Sequence, residues 1–415
     1  MSQTPSPPTP LPEGEGSTYS APADSTSPSP LGVRDFQLPP LALYIHIPWC
    51  VRKCPYCDFN SHAAGPSLPE EEYVDALLAD LDRDLGHVHG RELTSIFFGG
   101  GTPSLFSAKA LGRLLQGVQQ RVPFASDIEI TLEANPGTFE QAKFRDYRSL
   151  GINRLSIGVQ SFQEAKLKAL GRIHNGDEAI RAADMARAAG FDNFNLDLMH
   201  GLPEQSIEDA LYDLRTAIAQ GPTHLSWYQL TMEPNTVFWN QPPELPEDDT
   251  LWDIQEAGQA LLAEHGYGQY ETSAYARDNQ RARHNLNYWT FGDYLGIGAG
   301  AHGKLSSHEG ILRETRPKHP AAYLAARESG AFVQERRTIG SAELPFEFMM
   351  NALRLNQGFP RRLFAERTGL PFEAAEAGLL KATRQGLVEA DGEILRPTRQ
   401  GRHFLNELLM LFLPA

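Results

Sequence analysis

From Leu41 onward, short runs rich in β-branched and aromatic residues alternate with stretches whose apolar residues recur at helical spacing. The strand-like runs are LALYIHIP (41–48), SIFFGGG (95–101), DIEITLEANP (127–136), RLSIGVQS (154–161), NFNLDLMHGLP (193–203) and HLSWYQLTMEP (224–234). Helical patterns lie between them, as over 70–85 and 177–189. Strands and helices in strict alternation predict a parallel sheet, either a closed or partly closed barrel or an open doubly wound sheet. The polar and glycine-rich residues follow each strand, so both architectures place a site on the sheet's carboxyl edge.

Beyond Pro234 the pattern loosens. A helix is predicted over 251–264, then a polar segment ARDNQRARHNLNYW (276–289) and a glycine-rich run YLGIGAGAHG (294–303), whose glycines suggest tight turns or close backbone approach to a ligand. Residues 341–415 read as three helices, a hairpin around Ala390-Asp391-Gly392 and a last helix, a winged-helix-like α+β pattern. Nine Lys/Arg balance nine Asp/Glu there, so a packing or lid domain is expected in place of a DNA reader. Residues 1–40 hold ten of the thirty prolines and seven serines, which predicts a disordered extension. One arginine, Arg34, among Glu13, Glu15, Asp24 and Asp35 does not make a targeting peptide. The chain thus divides into an extension (1–40), a barrel core (41–240), a connecting region (241–340) and a C-terminal domain (341–415).

A formal net charge of -15 argues against nonspecific nucleic-acid binding. No apolar run approaches the roughly 20 residues of a membrane span; the most apolar stretch, 404–413, is interrupted by Asn406 and Glu407. The expectation is a soluble, cytoplasmic protein with no transmembrane segment. All three cysteines, Cys50, Cys54 and Cys57, fall within eight residues, a poor disulfide set that points to a reducing compartment and metal binding. Their spacing would suit one face of a helix, but Pro48 and Pro55 interrupt a helix and LYIHI precedes as a strand, so a loop is predicted. Thiolates select zinc, with His62 as the nearest fourth ligand, or an iron-sulfur cubane with one iron left open.

CVRKCPYC resembles the CxxxCxxC signature of radical S-adenosylmethionine (SAM) enzymes, in which the open iron takes the amino and carboxylate groups of SAM. With YIHIPWC, GGGTP, EANP, GVQSF, GRIH and DLMHGLP in order, residues 41–415 resemble the HemN/HemW group of that family. The resemblance implies a partial (β/α)6 barrel with an accessory C-terminal domain, a 4Fe-4S cluster on Cys50, Cys54 and Cys57, and SAM as cofactor. It also implies SAM contacts at Gly100, Gly101, Thr102, Glu133, Gln160, Arg172 and Asp197, with Tyr44 before the loop and Tyr56 within it against adenine. Independently of the family, polar groups converging on one strand rim suit a ligand carrying an ammonium, a carboxylate and a ribose diol. His46 and His200 read as hydrogen-bonded rim residues.

The group spans two activities. Dehydrogenases of coproporphyrinogen III carry CxxxCxxCxC, in which reductive cleavage of SAM yields a radical that oxidises propionate side chains. Here Phe59 stands at the last position, the pattern of the haem chaperones, and the first strand follows the low-complexity arm with no sign of an ordered N-terminal segment. HNLNYW (284–289) matches a HNxxYW motif associated with haem binding in the chaperones; an imidazole can ligate haem iron, and Tyr288 and Trp289 offer flat faces. The reading is therefore a haem chaperone binding a 4Fe-4S cluster, SAM and, through His284, haem, with acceptor haemoproteins, respiratory ones among them, and an electron donor as partners. The dehydrogenase is the alternative, and a structural zinc protein a weaker one.

Overall fold

A computed structural model describes residues 37–137 and 142–414, so nearly all of the expected N-terminal extension lies outside the described residues. The six expected strands are present as β1 (Leu41–Ile47), β2 (Leu93–Gly100), β3 (Phe124–Ala134), β4 (Arg154–Gln160), β5 (Phe194–His200) and β6 (His224–Gln229). They lie side by side in chain order, all parallel. The chain then forms antiparallel β7 (Gly268–Glu271) and β8 (Ala274–Ala276), with β8 pairing β6. A seventh parallel strand, β9 (Asp293–Ile297), pairs the free side of β1 and is extended by antiparallel β10 (His302–Ser307), β11 (Gly310–Thr315) and β12 (Glu335–Thr338). The twelve-stranded sheet runs from β12 to β7 without joining its ends, a partly closed barrel.

Parallel strands usually read as unbroken apolar runs because both faces are covered by helices. Here they alternate. Leu43, Ile96, Leu132, Ile157, Leu196 and Leu225 are fully buried in the main core, whereas their neighbours Tyr44, Ser95, Thr131, Ser156, Asn195 and Ser226 belong to the opposite, polar face. The covering helices include Glu70–Asp84, Ala108–Arg121, Gly176–Ala188 and Ile207–Ala219. Capping boxes of Asn175 with Glu178 and of Ser206 with Asp209 start two of them, so the loops after β4 and β5 end at defined points.

β9 is the strand that the glycine-rich run at 294–303 concealed. A Cβ on Gly296 would meet the carbonyl of His302 at 1.8 Å, so these glycines serve close backbone approach within the sheet. The C-terminal part has helices Leu344–Ala352, Arg362–Thr368 and Glu376–Arg384, a hairpin Val388–Asp391/Ile394–Pro397 joined by Phe359–Pro360, and helices Arg399–His403 and Leu405–Met410. Its core centres on Phe348 and Phe364 and includes Phe291, Ile311 and Ile339 from the preceding region. Its ion pairs Arg354–Glu271 and Arg313–Glu347 reach β7 and β11, so it packs against the barrel.

Helix Glu70–Asp84 is bound to the β11 edge by a buried ion cluster. Arg316 donates to Asp80 at 2.9 Å, Glu314 at 3.0 Å and Asp84 at 2.5 Å, and Tyr323 donates to Asp80 at 2.9 Å. Burial still lifts the Asp80 carboxyl to about 6 despite Arg316. Removing the cation leaves Asp80 without a close cation in the interior, since Arg83 and Arg336 still pair Asp84 and Glu314, and stranding that one carboxylate costs about 3–5 kcal/mol. Arg316→Ala should therefore unfold at clearly lower urea than the parent, while Arg327→Ala, whose partner Asp75 is only partly buried, should stay close to it. Equal midpoints for Arg316→Ala and parent would remove this cluster as a stabilising element.

Candidate functional site

β1 ends at Ile47 and the chain enters a loop over 48–62, closed at its base by the parallel pair Trp49–Cys50 and His62–Ala63. The loop is gripped from two sides by backbone. On one side, Gly101 N donates to Ile47 O at 2.8 Å and Thr102 N to Trp49 O at 2.7 Å. A Cβ on Gly100 would lie 2.6 Å from the His46 ring, and one on Gly101 2.6 Å from Trp49 O. The space that side chains would take at GGGTP is thus filled by the protein itself. On the other side, a Cβ on Gly298 would lie 2.3 Å from His46 O, and one on Gly300 (φ +78) 2.4 Å from the Asn60 amide. Asn60 Nδ2 donates to Ala299 O and Lys318 O at 2.9 and 2.8 Å. His46 closes the grip: Nε2–H donates to Asn60 O at 2.9 Å while Nδ1 accepts from Tyr44 Oη at 3.1 Å. Burial lowers its pKa to about 4, keeping it neutral. His46 thus acts as the hydrogen-bonded residue expected; His200 instead packs on Trp227 at 4.3 Å, and its Nδ1 has no partner among the described residues.

The three sulfurs are each met by a polar group. Thr102 Oγ1 donates to Cys50 Sγ at 3.5 Å, Arg172 Nη1 to Cys54 Sγ at 3.6 Å, and Ser61 Oγ lies 3.7 Å from Cys57 Sγ. Asn135 joins the first two, donating to Thr102 Oγ1 at 2.9 Å and accepting from Arg172 Nη2 at 2.8 Å; Arg172 also donates to Gly158 O at 2.6 Å. Burial pushes the Cys57 thiol up to about 11 and raises Cys50 as well, so ionising these thiols calls for a bound soft cation. Among the described residues, no three His, Cys, Asp or Glu side chains converge on a point that one ion could occupy. His62 lies against Asn60 and His319. A cubane is bound through separate irons, so its ligands need no common point, and the donor set fits it better than zinc.

At the strand ends, Glu133 accepts from Gly100 N at 3.2 Å. Asp197 accepts from Ser156 at 2.7 Å and Asn195 at 2.8 Å. Burial, then the charge of Asp197, raises Glu133 to about 8; burial also raises Asp197. Two acids in one desolvated site favour a cationic ligand. Gln160 has a left-handed backbone (φ 69), and its Oε1 accepts from Tyr228 Oη at 3.0 Å. Tyr56 packs in an apolar cluster beside Phe238, with ring centroids 6.3 Å apart. Tyr44 lies deeper, its hydroxyl on His46 and its ring stacked with Phe97 at 6.3 Å. The structure therefore gathers Gly100, Gly101, Thr102, Glu133, Gln160, Arg172, Asp197 and Tyr56 about the cysteine loop, and sets Tyr44 behind it.

His284 is not brought to this rim. It sits on helix Arg283–Trp289, which plugs the amino end of the barrel: the backbone N–H groups of Arg283 and His284 both donate to Glu129 at 3.1 Å. The imidazole is buried, with Nδ1 on Ser95 Oγ and Nε2 on Tyr288 Oη, both at 2.9 Å. Burial lowers its pKa to about 3. No ring nitrogen is free for a metal in this arrangement. The ring stacks on Phe97 at 5.1 Å and lies 6.4 Å from Tyr44, so an aromatic column joins the plug to the cysteine loop. Phe59 is half exposed on that loop.

Sequence reasoning missed Asn135, Ser61 and Asn60, which connect sulfurs or hold the loop, and Tyr228, which holds Gln160. Asn135 lies inside EANP and was within reach; the others belong to no periodic pattern.

The Radical SAM superfamily model matches residues 44–217, and the HemN C-terminal domain model matches residues 341–404. The chain is 55% identical over 378 residues to Heme chaperone HemW of Escherichia coli K12, covering 91% of this chain and 99% of that protein. It is 33% identical to Heme chaperone HemW of Bacillus subtilis 168, covering 89% and 98%. It is 35% identical to the mouse mitochondrial radical S-adenosyl methionine domain-containing protein 1, covering 90% and 87%. Among solved structures, coproporphyrinogen III oxidase (HemN) from Escherichia coli, 24% identical, matches with a TM-score of 0.77 over 90% of both chains and shares the fold. With such identity across nearly the whole length of these relatives, the chain belongs to the HemW family within the radical SAM superfamily.

Proposed function

We propose that the protein is a haem chaperone of HemW type. Cys50, Cys54 and Cys57 would hold a 4Fe-4S cluster, and SAM would bind along Gly100, Gly101, Thr102, Glu133, Gln160, Arg172 and Asp197. The observation that carries the cofactor reading is the bracket in which Thr102, Asn135 and Arg172 tie two cysteine sulfurs to the ends of three strands. Haem as cargo rests on the named relatives and on Phe59 in place of a fourth cysteine. When bound, the cluster supplies an electron to the ligand on its open iron. The chain's own part is to orient that ligand's cationic groups against Glu133 and Asp197 and to keep the loop seated through His46 and Asn60. Acceptor haemoproteins and an electron donor complete the proposal, in a reducing cytoplasm that suits three free cysteines. Among the described residues no helix is long and apolar enough to cross a membrane. Haem ligation by His284 would require its ring to leave Ser95 and Tyr288 and the plug helix to release Glu129, so the motif's contribution through that ring depends on an opening of the barrel base.

Replacing any one cysteine with Ala should abolish the visible charge-transfer absorption after anaerobic reconstitution. One zinc per chain without labile sulfide would sink the cluster. Removing a charge-assisted contact typically costs about 1.5–3 kcal/mol, so Asp197→Ala should weaken SAM binding by roughly ten- to a hundredfold in calorimetry with the cluster intact.

Glu133, at about 8 in the ligand-free site against an ordinary carboxyl near 4.5, holds its proton at neutral pH. Its contribution to folding is therefore present below pH 4.5 and lost as pH rises towards 8. A cationic ligand reverses the preference, so SAM binding at neutral pH should release close to one proton. That release appears as a dependence of apparent binding enthalpy on buffer ionisation enthalpy, absent in Glu133→Gln; identical enthalpies in all buffers for the parent would remove the acid pair from the SAM site. In side-by-side anaerobic assays the protein should take up haem and leave coproporphyrinogen III unchanged. Conversion to protoporphyrinogen IX with stoichiometric 5′-deoxyadenosine would install the dehydrogenase reading instead.

A further inference from the structure

The polar face inside the barrel ends, near its floor, on Arg154. Tyr44, Phe97, Thr131 and Arg154 are in register across β1 to β4 and so share that inner face. Arg154 is 2% exposed and Thr131 0%. Among the described residues the Arg154 guanidinium makes no hydrogen bond and no ion pair, and its Nε and the Thr131 hydroxyl are both buried without a partner. The polar groups near it are engaged elsewhere: Glu129 accepts from the N–H groups of Arg283 and His284, and Ser156 and Asn195 donate to Asp197. The Arg154 charge acts on Asp197 towards the rim and on His224, Tyr270 and His284 around it, which places it in the lumen between the rim and the plug helix.

A guanidinium left in the interior without acceptors is costly, and its planar fork matches a carboxylate. The lumen has room for one. Tyr44, Phe97, Glu133, Asp197 and Ser226 point into it and keep partial exposure, so protein does not fill the space above Arg154. Arg154 lies four residues before Gly158 on β4, roughly 13 Å below the rim. We infer that the floor of the barrel is a second ligand site, which takes the carboxylate of a small aromatic acid on the Arg154 guanidinium and the Thr131 hydroxyl, with Tyr44 and Phe97 against its body. The site stands apart from the haem-chaperone reading and does not depend on it. Acids at the rim face a cationic ligand, and the cation beneath them faces an anionic one, so the two ligands lie one above the other. The His284 ring, stacked on Phe97, backs the aromatic wall without ligating anything.

The test is anaerobic thermal unfolding and calorimetry of the full-length, cluster-loaded protein with benzoate, and with benzamide as its uncharged analogue, in the parent, Arg154→Met and Thr131→Val. Benzoate should raise the parent's Tm saturably and benzamide should leave it unchanged. Arg154→Met should bind benzoate at least about tenfold more weakly, and Thr131→Val severalfold. Without ligand, Arg154→Met should melt no lower than the parent, because an apolar chain of similar length replaces a buried charge that has no partner. An arginine serving the fold alone gives the reverse, a lower Tm and no response to benzoate in the parent. The electron paramagnetic resonance signal of the reduced cluster shows that each variant keeps the cysteine loop. The inference fails if benzoate leaves the parent unchanged, if benzamide matches benzoate, or if benzoate acts alike on Arg154→Met and the parent; ordered water then satisfies Arg154. If Arg154→Met melts well below the parent, Thr131→Val decides, since it keeps the arginine: benzoate affinity equal to the parent's overturns the site. Haem uptake by the parent, followed in parallel, tests the chaperone reading separately.

Discussion

Backbone crowding around one loop is the constraint on which the rest of the site depends. Residues 48–62 pass between the ends of β2 and β9, and the room left there admits no side chain at Gly100, Gly101 or Gly298. Gly298 and Gly300 also hold left-handed backbone, so any other residue would add strain to the clash. Once the loop is wedged in place, its three sulfurs face Thr102, Arg172 and Ser61 without any of those side chains having to search for them. The glycines contribute no chemistry themselves; they set the distance at which the chemistry occurs.

The polar lining of the barrel adds a second level of organisation. Acids at the rim are held back from ionising by burial, and His46 and His284 are held neutral for the same reason, so the described interior carries less charge than its composition suggests. The cations nearest the rim are committed: Arg172 to Cys54, Asn135 and Gly158. A positively charged ligand entering there meets acceptors already positioned by Ser156 and Asn195, which lowers the reorganisation that binding requires.

The strand series was legible because a polar lumen makes parallel strands alternate, as in DIEITLEA, where Glu129, Thr131 and Glu133 share a face against Ile130, Leu132 and Ala134. β9 was not, because DYLGI carries a glycine where neighbouring backbone comes close, and glycine on paper reads as a turn. The cysteine loop and most rim residues were readable from motif order, since each motif follows a strand. The depth of Tyr44 and the burial of His284 were not: both depend on which way a side chain points across a curved sheet, information that resides in pairs such as His284–Ser95, 189 residues apart. Asn60 likewise becomes meaningful only when 299 and 318 arrive beside it.

One property of the clasp reaches beyond geometry. His46 joins β1 to Asn60 through a ring that gains its second proton only near pH 4, so from neutrality up to pH 8 this clasp carries no titrating charge of its own. Glu133 across the rim changes state within that interval. Acidity is therefore a clean variable for this molecule: moving it tunes the appetite of the rim for a cation while the clasp that holds the cysteines stays deaf to the change.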